Sequence, residues 1–230
     1  MKTNTQHKFG SLLTGVLLTS VVALPAAVID QFLSPEGGQG VAISNGIVGT
    51  TQSSVQTGLT GVLGGSRELT LRIQAVYDLA SLVTANVNGS SSNDQFALAN
   101  SPNVDTSCRI TWDANSGGMN ANLSMDNRFN LVDVFNEIPM AYTLTMETFG
   151  GGISTQTVNT GTNFTGDILF PFSGFAGGAN LTNIDRISLS FESGRSADVS
   201  IGALVTVPEP ASAGLVVLSG FGLLLRRRRA

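Results

Sequence analysis

Strict alternation of apolar and polar residues is the feature that most constrains the fold of this 230-residue chain. Five segments between the two ends show it clearly, at 69–75, 119–126, 142–147, 187–192 and 198–203. Successive side chains of a β-strand point to opposite faces, so each segment predicts a strand with one dry and one wet face. No segment of this central region keeps the 3.6-residue apolar period of an amphipathic helix. The central region is therefore predicted to be all-β.

Weaker strand candidates and glycine-rich turns complete the pattern. Six further candidates lie at 41–48, 82–87, 95–99, 108–113, 153–158 and 164–172. Short glycine runs, such as Gly64-Gly65 and Gly150-Gly151-Gly152, fall between them and supply turns. About ten short strands at this spacing predict an antiparallel β-sandwich, in particular a jelly roll. The half-wet alternation argues against a parallel sheet, which is apolar on both faces.

The N-terminal segment, residues 1–27, has the three parts of a secretory signal peptide. Lys2 and Lys8 precede an apolar stretch, and small residues close the segment. We therefore expect an N-terminal signal helix and export by the Sec machinery. Cleavage after Ala23 and cleavage after Ala27 both stay open, and an uncleaved membrane anchor is the alternative. The domain between the ends is predicted to span 28–206.

The C-terminal segment, residues 207–230, has the parts of a second targeting signal. It contains, in order, a Pro208-Glu209-Pro210 tripeptide, an apolar run over 211–225 and four arginines, Arg226, Arg227, Arg228 and Arg229. The two prolines disfavour helix at the residues before them, so the tripeptide is expected to stay extended. The apolar run would span about 22 Å as a helix and predicts a short membrane helix. The arginines would stop translocation on the cytoplasmic side.

This tail resembles the PEP-CTERM sorting signal, whose parts are a Pro-Glu-Pro tripeptide, a short apolar helix and a terminal arginine cluster. The resemblance implies an exosortase substrate, held transiently in the inner membrane and then moved to the cell surface or the extracellular space. It implies that Pro208, Glu209 and Pro210 form the recognition element, with the arginines orienting the chain. An ordinary tail anchor is the alternative. Two body elements also look like those of PEP-CTERM ectodomains: 64–68, a Gly-Gly-x-Arg-Glu element, and 180–187, an Asn-Leu-Thr-x-Ile element.

Missing residue types exclude several enzyme classes. The only histidine is His7, inside the predicted signal peptide, and residues 28–207 contain no lysine. Ser-His-Asp and Cys-His catalysis lack their base, and Schiff-base chemistry lacks its amine. One cysteine and no histidine cannot form an ordinary zinc site. A pair of carboxylates in an exported glycan-active enzyme is the chemistry left open.

The charge of the central region argues against nucleic-acid binding. Residues 28–207 contain six arginines against fifteen carboxylates, a balance of −9. Nucleic-acid binding depends on basic side chains that displace counterions. No nucleic-acid partner is therefore expected.

Three kinds of side chain were weighed as site residues. Cys108 is interpreted as a small buried hydrophobe, because a lone cysteine closes no intrachain disulfide. Trp112 is interpreted as a core residue rather than a sugar platform. Asp113, Asn115 and Asp126 are weak candidates for calcium, although no EF-hand is predicted, because its flanking helices and its glutamate are missing.

Three functions stay open for the domain. The favoured one is a non-enzymatic surface or matrix protein associated with extracellular polysaccharide, the setting that the PEP-CTERM resemblance implies. The second is an exported glycan-active enzyme that uses a carboxylate pair. The third is a passive domain that decorates the envelope. Clustered carboxylates in a cleft would favour the enzyme, an exposed aromatic strip would favour the binder, and the absence of both would favour passive display.

Overall fold

The computed structural model describes residues 26–32, 38–78, 82–87 and 94–209. Most of the predicted signal peptide and of the predicted sorting tail, with the helices expected in each, lies outside these residues. In the part of the chain that the structure describes, no helix has the length and apolar character needed to cross a membrane.

The described residues form two sheets, whose strands are numbered in chain order. The eight-stranded sheet contains β1 (Val28–Asp30), β2 (Gln39–Ser44), β5 (Leu82–Val87), β6 (Phe96–Asn100), β8 (Asp126–Asn136), β11 (Phe164–Pro171), β14 (Asp198–Ile201) and β15 (Ala203–Pro208). The seven-stranded sheet contains β3 (Thr51–Thr57), β4 (Ser66–Val76), β7 (Val104–Trp112), β9 (Met140–Thr148), β10 (Ile153–Thr160), β12 (Ala176–Gly177) and β13 (Ile184–Ser193). Short 3₁₀ turns occupy Leu63–Gly65 and Phe172–Gly174.

The strand order makes the protein an antiparallel two-sheet sandwich. The first sheet runs β1-β15-β8-β14-β6-β5-β2, with β11 pairing β8, and the second runs β12-β10-β9-β13-β7-β4-β3. Strand pairing is antiparallel throughout the described ranges. The prediction of an all-β antiparallel sandwich is confirmed.

Alternation along the strands builds the core between the sheets. In β4, Leu69, Leu71 and Ile73 are fully buried, while the residues between them face outward. Cys108 and Trp112 are buried on β7, as predicted. Burial raises the pKa of the Cys108 thiol, because a thiolate would lose its hydration in the core.

A buried ion pair interrupts this apolar core. Arg67 and Asp30 each have 0% side-chain exposure, and the Nη1 of Arg67 donates to both carboxylate oxygens, at 2.8 and 2.9 Å. Asp30 also accepts from the backbone N–H of Phe32 at 2.7 Å and from Nε1 of Trp112 at 2.8 Å. Gln39 accepts from Nε of Arg67 at 2.8 Å. These contacts satisfy both charges, which is the condition for keeping them inside a protein.

The predicted element at 64–68 leads into this ion pair. Gly64 and Gly65 have φ of 77° and 69°, a backbone conformation that favours glycine, so the predicted tight turn is present. Arg67 follows directly on β4. The second predicted element behaves as expected too, because Asn180 Oδ1 accepts from both the backbone N–H and the hydroxyl of Thr182.

The strand predicted at 119–126 is wrong. The segment is a loop with one isolated bridge, Ala121 to Ile184, and it runs along the residues before β13. Ala121 and Leu123 are buried, so the alternation does mark an inward face, but Met125 is 63% exposed. Asn120 has a φ of 48°, which breaks the extended backbone that a continuous ladder needs.

The alternation in the sequence does not predict the long strand β8, because a β-bulge changes which positions face the core. Phe129 and Leu131 are buried before the bulge, and Val134 and Asn136 after it. Asp133, with a φ of 51°, marks the shift. The segment predicted as one strand at 198–203 is divided opposite this point into β14 and β15, and the N–H of the intervening Gly202 donates to the carbonyl of Val132.

Candidate functional site

A groove on the outer face of the seven-stranded sheet brings together many of the polar and charged side chains of the described sandwich. It encloses about 800 Å³ and is lined by outward-facing residues of β3, β4, β7, β9 and β13. On β4 these are the even-numbered residues, which alternate with the buried odd-numbered ones. Most lining residues of the neighbouring strands occupy the corresponding outward-facing positions. The alternation that fills the core therefore also lines the groove.

Strand register places the lining side chains in rows across the sheet. One row contains Thr70, Arg109, Ser190 and Thr143, which pair directly from β4 through β7 and β13 to β9. Directly opposed residues of neighbouring strands have Cβ atoms about 5 Å apart, so each row is a continuous strip of side chains.

Hydroxyl groups dominate these rows. The lining includes eight serine or threonine residues: Thr51, Thr70, Ser107, Thr111, Ser116, Thr143, Ser188 and Ser190. Thr143 Oγ1 lies 2.8 Å from the hydroxyl of Thr157, and Gln74 Nε2 donates to Ser107 Oγ at 2.7 Å. The surface is thus rich in groups that both donate and accept hydrogen bonds.

The charged residues of the groove fall into two groups. At one end, Arg186 contacts Glu147, with Nη1 3.0 Å from Oε2, and Asp113, with Nε 3.5 Å from Oδ2. Further along, Arg72 and Arg109 are exposed on adjacent strands. Across the described ranges, no carboxylate lies within 4.0 Å of either of these two guanidinium groups.

A left-handed turn closes the Arg186 end of the groove. Ala114, Asn115 and Ser116 follow β7 with φ of 52°, 56° and 65°. Such conformations are unfavourable for most residues with a Cβ, and asparagine tolerates them best. The backbone N–H of Asn115 donates to Ser66 Oγ, and Ser116 lines the groove.

Aromatic side chains do not form a platform in the described lining. Trp112 and Tyr142 are in the core, where burial raises the pKa of the Tyr142 phenol. Phe191 reaches the groove floor but is only 2% exposed. Tyr77, at the end of β4, is 51% exposed, and the guanidinium of Arg195 stacks on its ring at 3.2 Å.

The groove carries four carboxylates, on Glu68, Asp113, Glu147 and Glu192. Glu68 pairs with Thr111, two residues before Asp113, so these two side chains are diagonal neighbours. Asp113 and Glu147 come together only through Arg186, whose guanidinium contacts both. Glu68 and Glu192 lie on β4 and β13, separated by β7 and by four residues in register. At normal strand spacing their Cα atoms are about 16 Å apart, whereas paired glycosidase carboxyl groups lie about 5–9.5 Å apart.

The three calcium candidates lie at two places. Asp113 and Asn115 follow β7, where Asp113 contacts Arg186, while Asp126 begins β8 in the other sheet. Burial raises the pKa of the Asp126 carboxyl, and a hydrogen bond with Thr206 acts in the opposite direction. Over the described residues, no group of three or more His, Cys, Asp or Glu side chains is placed to hold a metal. Calcium binding stays a prediction.

The first two residues of the predicted sorting motif lie at the end of the sandwich. Pro208 is the last residue of β15 and pairs with Asp126, and the N–H of Glu209 donates to the carbonyl of Met125 at 3.1 Å. Pro210 and the four terminal arginines, Arg226, Arg227, Arg228 and Arg229, lie outside the described residues.

Comparison with known proteins found neither a matching family model nor a matching curated protein. Solved structures with a similar course of the chain include the family 11 carbohydrate-binding module of the cellulosomal cellulase Lic26A-Cel5E of Clostridium thermocellum (TM-score 0.42, 10% identity, covering 82% of this chain and 97% of that one). The same module in complex with a β-1,3-1,4-mixed-linked tetrasaccharide gives a TM-score of 0.41 at 11% identity, covering 82% and 98%.

An exo-β-agarase is also similar, with a TM-score of 0.37 and 14% identity. The match covers 82% of this chain but only 25% of the agarase. All three TM-scores lie below 0.5, so these likenesses do not indicate what this chain binds.

The alternation places several groove residues, Arg72 and Arg109 among them, on wet strand faces but does not single them out. Composition identifies these two only as members of the six arginines of residues 28–207. Their outward orientation was readable from the alternation, since both occupy polar positions between buried neighbours. Their convergence depends on the pairing of β4 with β7, which the alternation does not specify.

Proposed function

We propose that this chain is an exported, non-enzymatic surface protein whose sandwich binds an extracellular polysaccharide in the groove. The observation that carries the proposal is the groove itself, which is open, strongly polar and lined by rigid strands. Side chains on paired strands are held in place by the sheet, so a ligand meets a preorganised surface.

The chemistry of the lining suits a sugar chain. Rows of serine and threonine hydroxyls match the donors and acceptors of sugar hydroxyls, and the charged side chains add stronger hydrogen bonds. The five lining strands span about 19 Å at normal strand spacing, enough for a short stretch of a polymer. The described lining has no exposed aromatic strip, the feature expected of a binder that stacks on sugar rings. We place polysaccharide binding ahead of passive display because the groove supplies rows of hydrogen-bonding groups instead, and binding would rest on those.

The enzyme alternative has less support. Asp113 and Glu147 are both engaged in ion pairs with the Arg186 guanidinium. Glu68 and Glu192 are too far apart to act as a pair with each other. A binding role uses all of these residues without requiring a general acid and a base.

The direct test is affinity electrophoresis of the full-length chain, kept in mild detergent, through gels that contain soluble polysaccharides. Ser190→Trp would place a large ring in the middle of the groove. Ser200→Trp is the matched control, because Ser200 faces outward on β14 of the other sheet. We expect retardation by at least one polymer that Ser190→Trp removes and Ser200→Trp leaves intact.

Three results would contradict the binding proposal. No retardation by any polymer in a broad panel would argue for passive display. Equal loss in both tryptophan variants would place binding elsewhere. Release of reducing ends from a retarding polymer, lost in Glu147→Gln, would argue for the glycan-active enzyme.

For the route, we propose Sec export followed by exosortase sorting at Pro208-Glu209-Pro210. The position of its first two residues is compatible with this route, since Pro208 ends β15 and the N–H of Glu209 donates to the carbonyl of Met125. Replacing all three residues by alanine should leave export intact and keep the full-length chain in the membrane, measured by fractionation and mass in a host with the matching exosortase. Processing like the wild type would identify an ordinary tail anchor.

For the signal peptide, cleavage after Ala23 is the option that the contacts favour. The backbone N–H and carbonyl of Ala27 both bond to Thr206, on β15. A cut after Ala27 would remove that pairing, whereas a cut after Ala23 would keep it. N-terminal sequencing of the exported protein distinguishes the two.

For the fold, a jelly roll is the topology that we infer from the repeated crossing of the chain between the sheets.

A further inference from the structure

We propose that the groove selects acidic polysaccharides, and that Arg72 and Arg109 bind their carboxylate or sulfate groups. This rests on the proposed function, because it assigns a chemical class to the ligand of the same groove. The starting observation is that two neighbouring guanidinium groups in the groove have no ion-pair partner in the described protein, whereas Arg67, Arg186 and Arg195 are engaged; Arg128, which also has no ion pair among the described residues, lies alone on β8 of the other sheet.

The arginines of the sandwich divide by what they contact. Arg67 is bound by Asp30 in the core, Arg186 lies between two carboxylates, and Arg195 stacks on the Tyr77 ring. Arg72 and Arg109 have neither an ion pair nor a ring contact within the described ranges. Their donor N–H groups are therefore available to a ligand.

Strand register brings these two side chains together. Arg109 on β7 is directly opposite Thr70, and Arg72 on β4 is directly opposite Ser107. The two arginines are thus diagonal neighbours on one face, about 7–8 Å apart at their Cα atoms. At this separation both guanidinium groups can reach one anionic group, or two neighbouring anionic groups of the same polymer.

The immediate neighbours of the pair are hydroxyls rather than carboxylates. Thr51 and Ser107 flank Arg72 across the sheet, and Thr70 and Ser190 flank Arg109. Guanidinium groups present paired N–H donors in a planar fork that matches the two oxygens of a carboxylate or sulfate. The hydroxyls on either side would then bind the sugar hydroxyls next to the acidic group.

The rest of the domain explains why the selection would be local. Residues 28–207 carry a balance of −9, so an acidic polymer is repelled by most of the surface. The nearest uncommitted groove carboxylates, Glu68 and Glu192, lie diagonal to Arg109. These carboxylates would repel an acidic group placed beside the arginine pair. Binding would therefore be limited to polysaccharides whose acidic groups contact Arg72 and Arg109 directly.

The experiment compares matched polymers with the full-length protein in the same electrophoretic assay. Polygalacturonate is compared with the same polymer after reduction of its carboxyl groups to alcohols, and dextran sulfate is compared with dextran. We expect the acidic member of at least one pair to retard the wild-type protein. The apparent affinity for its neutral partner should be at least about tenfold lower, as expected when hydrogen bonds to charged groups are lost.

The variants separate the arginine pair from general charge. Arg72→Gln with Arg109→Gln should abolish the preference for the acidic polymer, while Arg128→Gln with Arg195→Gln, which removes the same charge outside the groove, should retain it. Glu68→Gln with Glu192→Gln should strengthen binding of the acidic polymer. If the Arg72→Gln with Arg109→Gln variant keeps the preference for the acidic polymer as fully as the Arg128→Gln with Arg195→Gln variant does, the assignment of Arg72 and Arg109 is overturned.

The outcomes also distinguish the inference from the function on which it rests. Equal retardation by acidic and neutral partners, abolished by Ser190→Trp, would keep polysaccharide binding in the groove and overturn acidic selection. Retardation by neither member of either pair, nor by any polymer of the wider panel, would overturn both. A preference for dextran sulfate alone, lost in the double arginine variant, would identify sulfate as the acidic group and support the inference.

Discussion

Two arginines five positions apart on the same strand have opposite surroundings. Arg67 points into the core of the sandwich, where Asp30, Gln39 and Gln56 hold its guanidinium group. Arg72 points out into the groove and has no ion-pair partner in the described structure. The separation is an odd number of residues, so strand alternation sends the two side chains to opposite faces.

The difference shows how one residue type serves stability on one face and recognition on the other. A charge inside the core must be matched by the protein itself, because it has lost its water. A charge on the groove wall keeps its water until a ligand replaces it. Substitutions in the core should therefore change stability, and substitutions in the groove should change binding.

The largest effect is expected for Asp30→Asn. The change leaves the Arg67 guanidinium buried without its counter-charge, which should lower the free energy of unfolding by about 3–5 kcal/mol. Urea unfolding followed by the fluorescence of Trp112, whose indole N–H bonds to Asp30, reports the loss. A loss below about 1 kcal/mol would mean that the buried pair behaves like a surface pair.

Gln39→Ala should have the next largest effect. The amide of Gln39 accepts from Arg67 Nε and donates to the carbonyls of Ser54 and Arg67, so its removal leaves several buried groups unsatisfied. We expect a loss of about 1–3 kcal/mol in the same unfolding experiment. An unchanged midpoint would show that water replaces the amide at no cost.

Arg186→Gln tests the ion pair that faces solvent. The Arg186 side chain is 38% exposed, and pairs of this kind contribute about 0–1 kcal/mol. The small difference from the wild type, measured by unfolding at low and at high salt, should shrink at high salt, because salt screens an exposed ion pair. A loss as large as that of Asp30→Asn would remove the contrast between core and groove.

Asp126→Asn should raise stability slightly at neutral pH. Burial raises the pKa of this carboxyl in the folded state, so the folded protein holds its proton more tightly than the unfolded chain does. The carboxylate therefore costs stability once the pH exceeds its ordinary pKa, and asparagine avoids that cost. The advantage of the variant, measured by unfolding across pH, should disappear in acid; an advantage that persists there would point to packing instead.

The smallest effect on stability is expected for Arg72→Gln with Arg109→Gln. Both side chains are exposed and unpaired, so the free energy of unfolding should stay within about 0.5 kcal/mol of the wild type for each substitution. The same protein should lose binding of acidic polymers. A large loss of stability would show that the two arginines serve the fold.

Some structural features were readable from the sequence, and others were not, for identifiable reasons. The strand at 82–87 was predicted at its observed bounds, because its alternation is unbroken. β3 was missed, because its polar sequence at a sheet edge carries too few apolar residues to show a period. β8 was missed, because the bulge at Asp133 moves the buried face from odd to even positions.

The residues of the core and of the candidate site were likewise only partly predictable from the sequence. The sequence identified Trp112 as a core residue and excluded histidine- and lysine-based chemistry, since both follow from local pattern or from composition. It did not connect Arg67 with Asp30, which lies 37 positions earlier, close to the predicted signal peptide.

The all-β class, the inward or outward face of residues in the regularly alternating strands, and the restriction of site chemistry to hydroxyls, carboxylates and arginines follow from the sequence alone. These properties are local, because alternation and composition need no knowledge of a partner strand. The contact of Arg67 with Asp30, and the position of Arg72 and Arg109 as diagonal neighbours in a polar groove, follow only from the tertiary structure. Those contacts depend on which strands pair and in which register, and distant parts of the chain fix both when they bury the core between the sheets.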